Sequence, residues 1–317
     1  MNNPLYIIDY SNWKYKFQSV YQFTSPGNTY DTSVLFGMFK SLKTLPYKHI
    51  AIVLDGYPLR SMELLPSYKS GRVHQLQSKL QIPQHILLSL CCEYGSKLGK
   101  DVHIVCSPCQ ETDEVIASLV LGRVAPPSDK ELLSMLNTKP FEDDPFLKKY
   151  HTHVVKTSQF SPIRDVDIIA STDGDFIQLQ GYPSVFIDKS TSGHSVSNQV
   201  TSKSTASLPP FASLVYKAIY GDSSDAVKSV RYRLPKTKYL PYLKDIDTLD
   251  KVTDAYNQCT GKTPPLNPLF QEVVCYKENF LRNWEIVKLK YISEPFEIFF
   301  EPITNFSFLI ESYGIHI

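Results

Sequence analysis

Val166-Asp167-Ile168-Ile169-Ala170-Ser171-Thr172-Asp173-Gly174-Asp175-Phe176-Ile177-Gln178-Leu179 is the stretch on which the fold is decided. An apolar run of strand type ends in Thr-Asp-Gly-Asp, and a helix-like segment follows. Two carboxylates two residues apart at the carboxyl end of a buried strand suit a divalent cation. Hard cations take oxygen ligands, and Gly174 lets the backbone turn between the acids. The same residues also make an ordinary β-turn with two solvated Asp side chains. Recurrence of the arrangement elsewhere in the chain favours the cation.

Leu5-Tyr6-Ile7-Ile8-Asp9 is a short apolar strand ending in an acid, and His49-Ile-Ala-Ile-Val-Leu-Asp55-Gly56 repeats the pattern. Val102 to Cys106 is a third strand, and Glu111-Thr-Asp113-Glu114 then opens a helix at its positive dipole end. Ser184 to Asp188 is a fifth. Thr32 to Leu45 has helical spacing, and Pro83 to Leu98 reads as a helix. Strands alternating with helices predict an α/β fold: a central, mainly parallel twisted sheet flanked by helices. In such a sheet the carboxyl ends of the strands line one crevice. Asp9, Asp55, Glu111, Asp113, Glu114, Asp173 and Asp175 should converge there. So many carboxylates repel one another and take up protons unless cations hold them. Two Mg²⁺ ions, with Mn²⁺ as a substitute, ~4 Å apart, would satisfy them and would serve phosphodiester hydrolysis.

Composition narrows the field. The 317 residues are 42% hydrophobic and 21% charged, enough for one large domain or two smaller ones with a sizeable core. No apolar run approaches the ~18 residues of a membrane span, and no basic-then-apolar leader opens the chain. The expectation is a cytoplasmic protein without membrane contact. Cys106-Ser-Pro-Cys109 has no second pair, so reduced thiols are expected rather than zinc. Phosphate-loop, dinucleotide-binding and nucleophile-elbow motifs are absent. The net charge of +1 hides segregation. Leu64 to Cys92 carries no acid but holds Lys69, Arg72 and Lys79. Ala226 to Lys244 carries none and holds Lys228, Arg231, Arg233, Lys236, Lys238 and Lys244. Basic stretches beside an acidic centre suggest a polyanion held around a metal site.

Five stretches in order resemble the motifs of the 5′-nuclease superfamily (flap endonucleases and 5′–3′ exonucleases), and look closest to its bacteriophage branch. Ile8-Asp9-Tyr-Ser-Asn12 resembles the first-strand I-D-G-S-N, with Tyr10 for Gly. Leu54-Asp55-Gly56, Arg60 and Leu65-Pro-Ser-Tyr68-Lys69-Ser-Gly-Arg72 resemble the run into the family's helical arch. Glu111-Thr-Asp113-Glu114 resembles E-A-D-D, with Glu114 for the last Asp. Ser171-Thr-Asp173-Gly-Asp175-Phe and Gly221-Asp222-Ser-Ser-Asp225 resemble the two later acidic motifs, and Phe280 to Leu289 more loosely a late helix. The resemblance implies that Asp9, Asp55, Glu111, Asp113 and Glu114 serve a first metal and Asp173, Asp175, Asp222 and Asp225 a second. It implies that Lys69 and Arg72 reach the scissile phosphate, that Tyr68 stacks on an unpaired terminal base, and that Arg60 contacts nucleic acid. The substrates implied are DNA 5′ ends and flaps, or RNA–DNA hybrids, in a monomeric enzyme with a replication-protein partner, cytoplasmic in a host cell if phage-encoded.

Residues 1–190 are expected to form the nuclease domain, with the arch at about 59–98 and an insertion at 126–160. Residues 191–317 are expected to form a helical, helix-3-turn-helix-like DNA-binding region. One departure stands out. Ser229-Val-Arg-Tyr-Arg-Leu-Pro-Lys-Thr237 has none of the glycines with which the family's hairpin grips duplex phosphates. Either Arg231, Arg233, Lys236 and Lys238 replace amide contacts with side-chain charge, or this part folds differently. A PIN-type ribonuclease and a non-catalytic nucleic-acid-binding protein on the same fold remain the alternatives.

Overall fold

Short apolar runs bounded by polar turns make the strands, and the segments between them make helices. The computed structural model describes residues 4–21, 30–69, 80–107, 110–126, 153–156, 164–190, 193, 195–197, 208–292, 295–300, 302–303 and 305–313. In chain order the elements begin β1 (Leu5–Asp9), α1 (Tyr10–Tyr21), β2 (Tyr30–Asp31), α2 (Ser33–Thr44), β3 (His49–Val53) and α3 (Leu59–Leu64). They continue with β4 (Leu80–Gln81), α4 (Gln84–Lys97), β5 (Asp101–Cys106), α5 (Thr112–Val124), β6 (His153–Lys156) and β7 (Asp167–Ala170). A 3₁₀ helix (Asp175–Gly181), β8 (Val185–Asp188) and β9 (Val196–Ser197) follow. The C-terminal part holds α6 (Pro210–Tyr220), α7 (Lys236–Tyr239), α8 (Leu249–Cys259), α9 (Pro268–Val274), α10 (Lys277–Val287), β10 (Phe296–Phe299) and α11 (Phe306–Ser312).

The main sheet runs β6-β10-β5-β3-β1-β7-β8-β9. Its centre, β5-β3-β1-β7-β8, is parallel, as the alternation of strands and helices requires. Both faces are covered, so the central strands are apolar throughout. Tyr6, Ile8, Ile50, Ile52, Ile104 and Ile168 pack against α1, α2 and α4 on one face. Leu5, Ile7, Ala51, Val53, Val105 and Ile169 pack against α5 on the other. A further core joins α6 to α8, α9 and α10. The base of α5 is pinned where Arg123 and Arg164 both reach the fully buried Asp167 at 2.8 Å. No helix among the described residues is long and apolar enough to cross a membrane.

One sequence expectation changes. The region after residue 191 is not wholly helical. Past α10 the chain returns to the sheet, where β10 inserts antiparallel between β5 and β6. Phe306 of α11 then stacks on Phe39 and Tyr94. The reason is legible in Phe296-Glu-Ile-Phe299, an alternating strand pattern whose Phe296 and Ile298 bury into the core. Within the expected arch stretch of 59–98, α4 buries Leu87, Leu88, Leu90 and Cys91. The insertion supplies β6 to the sheet edge, and its residues 127–152 lie outside the described ones.

Candidate metal centre

Parallel register sets the level of each strand-end acid. Asp9 pairs with Val53, Val53 with Val105, and Ile8 with Ala170. Asp9 thus stands on the last rung of the sheet, and Asp55, Glu111 and Asp173 follow just beyond it.

Asp9 is only 7% exposed. Its Oδ1 accepts from the Asn12 amide at 3.1 Å and its Oδ2 from the Ser171 hydroxyl at 2.8 Å. Burial pushes its carboxyl up to about 6, with Asp55 and Asp173 adding to the shift against those two hydrogen bonds. Asp55 is exposed, and its Oδ1 accepts from the Thr112 amide at 2.9 Å. Glu111 caps α5 in a reciprocal box with Glu114, whose Oε2 accepts from the Glu111 amide at 3.2 Å. Burial drives Asp113 well above the ordinary carboxylate range, and Glu111 drives it further. Lys69 opposes that shift, while Glu114 and Asp173 add to it.

The second group centres on Asp175, Asp222 and Asp225, whose carboxylate oxygens lie within 4.8 Å of one another. Asp175 starts the 3₁₀ helix. Asp222 and Asp225 sit on a loop after α6, closed by Asp222 N to Val227 O at 2.9 Å and Val227 N to Asp222 O at 2.8 Å. Asp173 Oδ1 accepts from the Asp175 amide at 2.9 Å and so holds the Thr-Asp-Gly-Asp turn. Gly174 has φ −76° and ψ −10°, which any residue adopts. The turn therefore rests on the Asp173 side chain, and Gly174 uses none of the extra backbone freedom that glycine offers. Tyr68, Glu111, Asp113, Glu114, Asp175 and Asp225 line one small pocket together with residues Ile286 to Leu289. Glu111, Asp113 and Glu114 of the first group thus share a concavity with Asp175 and Asp225 of the second, while Asp9, Asp55, Asp173 and Asp222 are not among its lining residues.

Two lysines meet these carboxylates. The Lys69 ammonium pairs with Glu111 and stands 3.9 Å from Asp225. Burial works against its charge, but Glu111, Asp113 and Asp225 outweigh that and hold it above its ordinary value. The Lys69 backbone has φ 54°, a strained conformation for a residue with a side chain. Lys217, which the sequence reading did not single out, pairs with Asp175 and lies 2.7 Å from Asp222. Its signal was a lone charge in the apolar helix Pro210–Tyr220. Burial raises Asp222, yet the Lys217 ion pair and the Ser224 hydrogen bonds bring its carboxyl below the ordinary range.

Tyr68 has a contact that the sequence did not suggest. The residue is 7% exposed and its hydroxyl donates to Glu111 Oε2 at 2.8 Å, so it positions a carboxylate of the site. Arg72 and the Arg60 side chain lie outside the described residues. The glycine-less stretch folds as a loop between the acidic turn and α7. Val230 and Leu234 anchor it in the core, with Arg231, Tyr232 and Arg233 exposed between them. Its positive-φ position, at 57°, is carried by Arg233. Lys228 is exposed, Arg231 pairs with Glu272, and Arg233 lies 5.0 Å from the Tyr232 ring. Lys236 lies 5.4 Å from the Tyr216 ring and Lys238 4.8 Å from the Tyr239 ring.

The donors are all oxygens and both groups are dense in acid, so the residues present fit hard divalent cations rather than soft ones. Asp9 and Asp113, pushed upward where they stand, are carboxyls that such an ion would relieve.

This arrangement, a parallel sheet with acids at its strand ends and a helical C-terminal unit, is similar in fold to solved 5′-exonuclease structures from T5. A mutant of T5 5′-exonuclease matches at TM-score 0.52 and 16% identity over 91% of this chain and 89% of its own. A T5 5′-exonuclease structure with bound zinc matches at TM-score 0.51 and 16% identity, over 90% of each chain. A further T5 structure, co-crystallised with metal ions, matches at TM-score 0.50 and 16% identity over 98% of this chain and 94% of its own. No protein-family model matches the chain, and no curated protein matches it in sequence.

Proposed function

We propose that this chain is a divalent-metal-dependent, structure-specific 5′-nuclease acting on DNA 5′ ends and flaps, with RNA–DNA hybrids as related substrates. The observation that carries the reading is the convergence of Glu111, Asp113, Glu114, Asp175 and Asp225 on one pocket, beside Lys69. Asp9, Asp55, Glu111, Asp113 and Glu114 would hold a first Mg²⁺, and Asp173, Asp175, Asp222 and Asp225 a second. Bound there, the ions supply an activated water and charge for the leaving oxygen. The chain's own residues do the rest. Tyr68 and the capping box fix Glu111. Asn12 and Ser171 fix Asp9. Lys69, between the two groups, brings an ammonium to the charge that develops on the phosphoryl oxygens, and Arg72, three residues on in sequence, would add a guanidinium. Lys228, Arg231, Arg233, Lys236 and Lys238 grip the duplex arm by side-chain charge, in place of glycine amides.

Cleavage of a labelled 5′-flap DNA by Asp173→Asn with Asp175→Asn tests this; wild-type cleavage by the double variant sinks it. The glycine-less loop at 229–237 favours one second reading, a binding protein without turnover, whose mark is tight flap binding with no product under any divalent ion.

A further inference from the structure

We infer that the Lys217 ammonium is a built-in occupant of the second metal position, which the incoming ion must displace. The inference rests on the nuclease reading above. Lys217 lies on the last turn of α6, where the negative end of the helix dipole favours a cation. It is the one charged residue in that helix. Its ammonium meets two of the three carboxylates whose oxygens cluster within 4.8 Å, pairing with Asp175 and standing 2.7 Å from Asp222. All three partners are largely buried, with side chains 12%, 13% and 15% exposed for Lys217, Asp175 and Asp222.

An Mg²⁺ ion sits about 2.0–2.1 Å from its oxygens, so it and an ammonium cannot occupy one small oxygen cage together. Like charges at that separation repel strongly where water is scarce. Lys217 holds Asp175 and Asp222 together through its two ion pairs, so the cage is assembled in advance. With metal, the ammonium swings out of the cage. The first group is affected less, because Lys217 reaches neither Asp55 nor Glu111 among its recorded partners. The consequence is a second site weaker than its donor set would give, filled after the first.

The test counts bound Mn²⁺ by electron paramagnetic resonance in the DNA-free protein. Wild type should bind one ion tightly and a second weakly. Lys217→Met should tighten the second ion about tenfold or more, and Lys217→Arg, which keeps the charge, should leave it weak. Amine-reactive labelling of the wild-type protein, read by mass spectrometry, should show Lys217 becoming more reactive as the second ion binds. A second-ion affinity unchanged or lowered in Lys217→Met would overturn the proposal, as would equal behaviour of the Met and Arg variants. Unchanged labelling would do the same. If wild type binds no ion at all, the nuclease reading fails with it, whereas two ions with no Lys217 effect leave that reading standing.

Discussion

Gly221→Ala should damage this protein more than any other single methyl group added at the acidic loop. Gly221 ends α6 at φ +76° and ψ 178°, a region open in practice only to glycine. A Cβ there would stand 2.3 Å from the Val227 carbonyl oxygen, 2.6 Å from the Lys228 carbonyl carbon and 2.8 Å from the Ser229 nitrogen. All three are backbone atoms, so no side-chain rotation relieves the contact. The strained backbone costs ~1–3 kcal/mol. Parting the loop also weakens the paired hydrogen bonds between Asp222 and Val227, worth about 1 kcal/mol each. The sum is about 3–5 kcal/mol, a large share of the ~5–15 kcal/mol that holds a domain folded. The assay is equilibrium urea unfolding in EDTA, paired with Mn²⁺ counting. Both stability and the second ion should be lost in step, because the same loop carries Asp222 and Asp225. A variant within ~1 kcal/mol of wild type that keeps both ions would refute the reasoning.

Asn283→Ala should cost about 2–4 kcal/mol, read by urea unfolding, because the fully buried Asn283 donates to Ala218 O at 3.1 Å and Lys228 O at 2.7 Å; a change below ~0.5 kcal/mol would contradict that. In EDTA, Asp9 should make the protein less stable as pH rises. Its folded carboxyl titrates at about 6 against an ordinary 3.8, so the folded state holds the extra proton between those values. Stability is therefore highest at the acid end of that window and falls by on the order of 3 kcal/mol by its upper end. Asp9→Asn should flatten that part of the pH curve, and identical curves for the two proteins would speak against it. Tyr68→Phe should weaken first-ion binding several-fold, since it removes the hydrogen bond to Glu111 and keeps the ring; full ion affinity with reduced flap binding only in Tyr68→Ala would restore the stacking role.

The parallel centre of the sheet was legible because each strand is an apolar run with an acid at or just past its end, and only a parallel sheet gathers such ends. Asp9, Asp55, Glu111 and Asp173 could thus be placed before any coordinates. Asp222 and Asp225 could not, because they sit on a loop after a helix, and nothing local says which crevice a loop faces. Lys217 escaped because a lysine near a helix C-terminus is ordinary; only the fold brings it to Asp175, 42 positions away in sequence. The hydrogen bond from Tyr68 to Glu111 escaped for a similar reason. An aromatic beside Lys reads as a nucleic-acid contact until the packing turns its hydroxyl onto Glu111. At Gly174 the glycine was given a task that the Asp173 side chain performs. The return of Phe296–Phe299 to the sheet was missed although its alternation was visible, since order in sequence does not set order in a sheet.

The central claim is that the carboxylates of this pocket hold ions that cut nucleic acid from its 5′ side. Cleavage of an end-labelled 5′-flap DNA, with Mg²⁺, with Mn²⁺ and with EDTA, tests it most directly when product lengths are resolved. The account predicts metal-dependent products a few nucleotides long or cuts near the flap junction, all abolished by EDTA. Tight binding with no product under either ion, or cleavage that persists in EDTA, would contradict it.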